Sequence, residues 1–151
     1  MTGTTTLTWD GDDAAGTLTP TGLGGLDITS NGGMALDRFL VDVLSSDLPG
    51  SSLTISVFDT SGNASVATVG FTDAIFTPVE QAFLFTSFLG SADFTDVGAL
   101  QFELTGLPKV DIAIDRIQIS GSAAVIPLPG GAVLLLSGLG AFWVAGRRWA
   151  A

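Results

Sequence analysis

Short runs in which apolar residues recur at every second position, the period of half-buried strands, are separated by turn signals through the first 120 residues. In Thr4–Trp9, Leu7 and Trp9 alternate with threonines. Shorter pieces of the same pattern occur at Thr17–Thr19 and at Leu26 and Ile28. Leu53, Ile55 and Val57 alternate up to Phe58, Asp59–Asn63 reads DTSGN, and Val66–Phe71 returns. This predicts a hairpin in which Gly62 and Asn63 take the positive-φ positions of the turn. Residues 80–90 read as a further strand with Phe83 and Phe85 inward. The segment 98–106 places Leu100, Phe102 and Leu104 on one face, with Gln101 and Glu103 on the other.

Two segments are less simple. From Leu36 to Leu44, apolar residues occupy both parities: Phe39, Val41 and Val43 on one face, Leu36, Leu40 and Leu44 on the other. A strand covered on both sides and a short helix both fit, and the β-branched content favours the strand. In the last alternating run, Val110, Ile112 and Ile114 share one parity and Ile117 and Ile119 the other. A β-bulge near Asp115–Arg116 reconciles them. About eight short strands at this spacing predict an all-β fold, a jelly-roll-like antiparallel β-sandwich.

The period of two ends before Ile126. Gly130 to Gly146 is seventeen residues without a charge, followed by Arg147 and Arg148. At ~1.5 Å per residue such a helix spans roughly 25 Å. With Ile126–Pro129 and snorkelling arginines it reaches the ~30 Å of a bilayer core. The expectation is a C-terminal transmembrane helix that starts near Pro129, with Arg147 and Arg148 on the cytoplasmic side and the remainder of the chain across the membrane. The chain then divides into a β-sandwich body over 1–119, a linker over 120–125 and a C-terminal segment over 126–151. The stretch from Met1 to Asp13 has no basic n-region and no apolar core, so the start is expected to be truncated relative to an exported precursor.

Charge and composition narrow the chemistry. All fifteen carboxylates lie in the body with only Arg38, Lys109 and Arg116, a formal charge of −12. Such a surface repels nucleic acid. Cysteine, histidine and tyrosine are absent, which removes thiol nucleophiles, Ser-His-Asp triads and thiolate or imidazole metal sites. A non-enzymatic protein without a required cofactor is expected, with no catalytic residues to name.

Three weaker candidates remain. Asp10, Asp12 and Asp13 supply hard oxygen ligands at a density compatible with calcium, with Asp27 or Asp115 as partners, although adjacent acids more often form a solvated turn. Asp111 and Asp115 share the outer face of the last strand, and Glu103 is expected opposite them. A carboxylate pair could hydrolyse glycosides, although an ordinary polar face is the simpler reading. Trp9 is the one body tryptophan able to stack on a sugar, against a simpler place in the core or at its rim.

The order of Ile126, Pro127, Leu128, Pro129 and Gly130, an apolar run from Ala132 to Ala145, and Arg147–Arg148 resembles the PEP-CTERM class of bacterial sorting signals, specifically its VPLPA variant. Isoleucine and glycine stand where that variant has valine and alanine. The resemblance implies recognition by an exosortase, a membrane-embedded protease, with cutting near the tetrapeptide. It also implies a Gram-negative host that makes exopolysaccharide. The expected function is therefore a non-catalytic surface or biofilm-matrix protein. It is held in the membrane by its C-terminal helix, then released or re-anchored after processing, with exosortase and exopolysaccharide as partners. The alternatives are a calcium-dependent carbohydrate-binding module and a self-assembling filament subunit.

Overall fold

The computed structural model describes residues 3–11 and 17–122. They form antiparallel strands: β1 (Gly3–Trp9), β2 (Ser30–Asn31), β3 (Met34–Ala35), β4 (Arg38–Ser46), β5 (Ser51–Asp59), β6 (Ala64–Phe71), β7 (Val79–Leu84), β8 (Leu89–Gly90), β9 (Val97–Gly106) and β10 (Ile112–Ser120). One sheet has five strands in the order β1-β9-β5-β6-β8. A second has three, in the order β10-β4-β7, and β2 pairs with β3 as a small separate ribbon. The described residues form an all-β antiparallel sandwich, as the alternating pattern predicts.

The core forms where the inner faces of the two larger sheets meet. Leu53, Ile55, Val57 and Phe102 come from one side, Phe39, Val41, Val43 and Phe83 from the other, all buried. The rings of Phe39 and Phe102 meet edge-on at 5.8 Å and tie β4 to β9 across the interior. This arrangement settles the segment with two apolar parities. It is strand β4, with Phe39, Val41 and Val43 inward, Leu40 partly covered and Leu44 at 40% exposure.

The predicted hairpin is β5–β6, in register from Ser51↔Phe71 to Phe58↔Ala64. Its turn works differently from the sequence expectation. Gly62 does take positive φ, but Asn63 does not. Asn63 instead serves through hydrogen bonds to Asp59: its backbone N–H donates to Oδ1 at 2.8 Å and its amide to Oδ2 at 2.8 Å.

Strand β10 carries the predicted bulge. Ile114 pairs with Val43 and Arg116 with Asp42, leaving Asp115 as the extra residue. A second irregularity faces it, because Ala113 pairs with Ser45 and Leu44 is passed over. With both, Ile112, Ile114, Ile117 and Ile119 all pack against the core.

Three expectations are corrected. Thr17–Thr19 is not a strand. Leu26 and Ile28 lie in irregular chain, where Leu26 makes a lone bridge to Val97 and Ile28 is buried. Strand β7 stops at Leu84, and Phe85 opens a single 3₁₀ turn over Phe85–Ser87. Its ring still packs on Phe39, at 5.3 Å.

The irregular segments are held by close backbone approach. A Cβ at Gly98 would lie 1.7 Å from the Pro20 carbonyl oxygen, and one at Gly121 would lie 1.9 Å from that of Ala35. Only glycine lets these chains pass. Of the linker expected over 120–125, Ser120 instead ends β10, paired with Arg38. Residues 123–125, the signal expected over 126–151 and the predicted transmembrane helix lie outside the described residues. No helix among the described residues is long and apolar enough to cross a membrane.

Candidate functional site

Polar groups converge in the loops at one end of the sandwich. Asp59 closes β5 at 2% exposure. Its carboxylate accepts from the backbone of Ser61, Asn63 and Asp93 as well as from the Asn63 amide. Asp93 accepts from the backbone N–H of Thr95 at 2.8 Å and its hydroxyl at 2.7 Å. Asp27 does the same with Thr29, at 2.8 and 2.7 Å, and adds the Ser30 hydroxyl. Asp96 accepts from the Thr60 hydroxyl. Donors favour the charged form of a carboxylate. The pKa of Asp59 is lowered chiefly by Asn63, that of Asp27 by Ser30 and Thr29, and that of Asp93 by Thr95. The charges of Asp59 and Asp27 oppose the shift at Asp93 without reversing it.

Sequence reasoning missed this network. The signal was present: an Asp followed two residues later by Ser or Thr, three times over, at Asp27, Asp59 and Asp93. That spacing lets a carboxylate bond its own backbone and hold a turn. The acids thus direct their lone pairs into their own loops, and no group of three acids among the described residues is placed to hold a metal ion.

The proposed calcium residues divide. Asp10 is 5% exposed and accepts from the Thr19 backbone N–H at 2.8 Å, fastening the segment after β1. Asp12 and Asp13 lie outside the described residues. The carboxylates weighed for glycoside chemistry do not assemble as expected. Strand β10 pairs with β4, whereas Glu103 sits on β9 in the other sheet, across from Thr6 and Thr54. Asp111 donates its N–H to Asp47 Oδ1 at 2.8 Å, and Asp115 is the exposed bulge residue. Arg116 bridges to Asp42 at 2.8 Å rather than to either acid.

The flank between β1 and β10 is the other notable region. Leu7 pairs with Phe102 and Trp9 with Leu100, so these side chains share the inner face of the five-stranded sheet. Yet every residue of β1 is exposed, with Leu7 at 49% and Trp9 at 42%. The reason is width, since a three-stranded sheet does not cover five strands. Two adjoining hollows of about 370 Å³ each open here. One is lined by Trp9, Leu26, Phe39, Leu100 and Ile119, the other by Leu7, Leu53, Leu104 and Ile114. Trp9, Phe102 and Ile117 border both. Trp9 stacks edge-on against Phe102 at 5.1 Å, which places it at the rim of the core.

The last described residues are clasped. Arg38 meets Asp37 in a two-point pair, Nε to Oδ1 at 2.6 Å and Nη2 to Oδ2 at 3.0 Å. The Ser122 hydroxyl donates to Asp37 at 2.7 Å and accepts from Arg38. The Asp37 carboxyl is held at about 2, first by Arg38 and then by Ser122. Residues Ile126–Gly130, Arg147 and Arg148 lie outside the described residues.

These features define the class: an antiparallel β-sandwich with self-satisfied acidic loops and one apolar, uncovered flank. Compared with known proteins, the chain matches no family model, no curated protein and no solved structure.

Proposed function

We propose that this is an exported, non-catalytic surface or matrix protein of an exopolysaccharide-producing Gram-negative bacterium, sorted through its C-terminal segment by an exosortase. The body is read as jelly-roll-like, its chain crossing between the two sheets at β4–β5, β6–β7, β7–β8 and β9–β10. The observation that carries the proposal is the three-part order at the C-terminus: Ile126–Gly130, then an apolar run, then Arg147–Arg148. In this reading Pro127 and Pro129 keep the tetrapeptide extended and open to a protease. Gly130–Gly146 acts as a membrane hold, and the arginines set its orientation. The clasp of Ser122 by Asp37 and Arg38 carries the body three residues past the expected boundary at 119, and Ser122 still precedes the motif by four residues.

The test is the intact mass of the protein recovered from the surface or medium of its native host. A species ending between Ile126 and Gly130 is expected. A species that retains Arg147 and Arg148 overturns the sorting proposal and leaves a tail-anchored membrane protein. Deleting residues 126–151 is expected to abolish membrane association, and unchanged association overturns the anchor itself.

A further inference from the structure

We infer that the flank between β1 and β10 is a strand-acceptor groove, and that its occupant is the chain's own segment Val125–Pro129, laid antiparallel along the outer edge of β10. The inference concerns the uncut chain: a cut between Ile126 and Gly130 requires the segment to leave the groove first.

The groove has the parts that strand addition requires. Among the described residues, β10 ends the three-stranded sheet and pairs with no strand on its far side. An open strand edge offers backbone donors and acceptors to an incoming strand. Beside that edge lies an apolar floor one strand wide, Leu7 and Trp9 of β1, directed inward and bordered by the buried Leu100 and Phe102 of β9. An added strand would lie opposite β1, where the narrower sheet stops short.

The occupant follows from chemistry and reach. The segment from Ala123 to Pro129 is uncharged and apolar throughout. In an edge strand, alternate residues direct their N–H groups to the neighbour and the others to solvent. Pro127 and Pro129 share one parity, so both fall on the solvent side, where a missing N–H costs nothing. Ile126 and Leu128 then bond β10 and turn inward onto Leu7 and Trp9. The segment also starts in the right place. Ser122 is fixed at the end of β10, on the β4 side, where Gly121 passes against Ala35. From there to the vacant position is two strand spacings, roughly 10 Å, which three extended residues at ~3.3 Å each cover.

A second copy fits less well. Pairing β10 with β10 of another molecule would bring two five-stranded sheets together, each overhanging its own β10, and would oppose two bodies of charge −12.

The chain contains no cysteine, which permits disulfide trapping in the full chain reconstituted in lipid nanodiscs. Leu7→Cys combined with Ile126→Cys or with Leu128→Cys is expected to give an intramolecular disulfide under mild oxidation, seen as a faster-migrating monomer. Leu7→Cys combined with Pro127→Cys is expected to stay reduced. Trapping at all three positions alike, in none of them, or only between two chains overturns the inference, the last by assigning the groove to another molecule. A second readout avoids oxidation. With Trp143→Phe and Trp149→Phe, Trp9 is the sole tryptophan. Adding Ile126→Asp and Leu128→Asp is expected to red-shift its emission and increase its quenching by acrylamide. Unchanged emission and quenching overturn the inference. Neither result bears on the mass of the processed species, so this inference and the sorting proposal fail separately.

Discussion

Leu7 and Phe102 stand directly across from each other on neighbouring strands, on the same face of one sheet, yet Leu7 is 49% exposed and Phe102 5%. Phe102 lies under the opposing sheet, in edge-on contact with both Phe39 and Trp9. Phe102→Ala should therefore cost about 3–5 kcal/mol, the range for emptying an aromatic site in a packed core. Leu7→Ala should cost less. Urea unfolding of the two variants measures the difference, and equal losses would contradict the unequal coverage of the pair.

The acidic loops make stability depend on pH. The folded pKa values of Asp27, Asp37, Asp59 and Asp93 lie below the ordinary aspartate value of 3.8, that of Asp37 at about 2. A depressed folded pKa means the unfolded chain takes up protons first as pH falls. The stabilisation from these groups is complete above about pH 5 and is lost progressively as pH drops through ~4 toward ~2. Thermal melts across that range should show a falling midpoint. Asp59→Ala should lower the midpoint at pH 7 and make the acid decline shallower, because four donors lose their shared acceptor.

Two glycines should respond oppositely to the same change. Gly98→Ala forces a methyl into the Pro20 carbonyl and should cost about 1–3 kcal/mol or more, as overpacking does. Gly70 sits in β6 with nothing within 4 Å of where a Cβ would be. Gly70→Ala should be neutral or mildly stabilising, by up to about 1 kcal/mol, since glycine carries an entropic penalty in a strand. Chemical denaturation of each variant decides.

The bulge at Asp115 offers a test by deletion. Removing Asp115 restores simple alternation and keeps Ile112, Ile114, Ile117 and Ile119 inward. Removing Gln118 instead leaves Ile117 and Ile119 adjacent, so one must face outward, at a loss of about 1.5–3 kcal/mol of burial. The Asp115 deletion should unfold as a single cooperative transition, and the Gln118 deletion at markedly lower denaturant.

How far the sequence could be read follows from which residues carry pattern. The slip in β10 was legible because isoleucines mark both parities. The matching irregularity in β4 was not, because the inward residue beyond Leu44 is Ser46, a buried polar side chain that bonds the Leu48 carbonyl at 3.0 Å. Alternation of apolar residues cannot register a serine in the core. Pairing between strands was equally hidden: β9 and β10 are neighbours in sequence but lie in different sheets, so Glu103 never meets Asp111 or Asp115. The acidic loops were legible only as turns, because hydrogen bonding to a strand 34 residues away, as from Asp93 to Asp59, leaves no periodicity.

The clasp at Ser122 also sets how the body bears load. Once the segment beyond it is drawn out of the groove, a pull on the C-terminus reaches Ser122, and so Asp37, Arg38 and the end of β10. Strand β10 lies antiparallel to β4 along nearly its whole length, from Ile112↔Ser46 to Ser120↔Arg38. Drag on the body then acts along the strand axis, so the bonds of that ladder share the force in shear rather than opening one after another like a zip. A body tethered in this way resists extension most strongly at the seam nearest its tether.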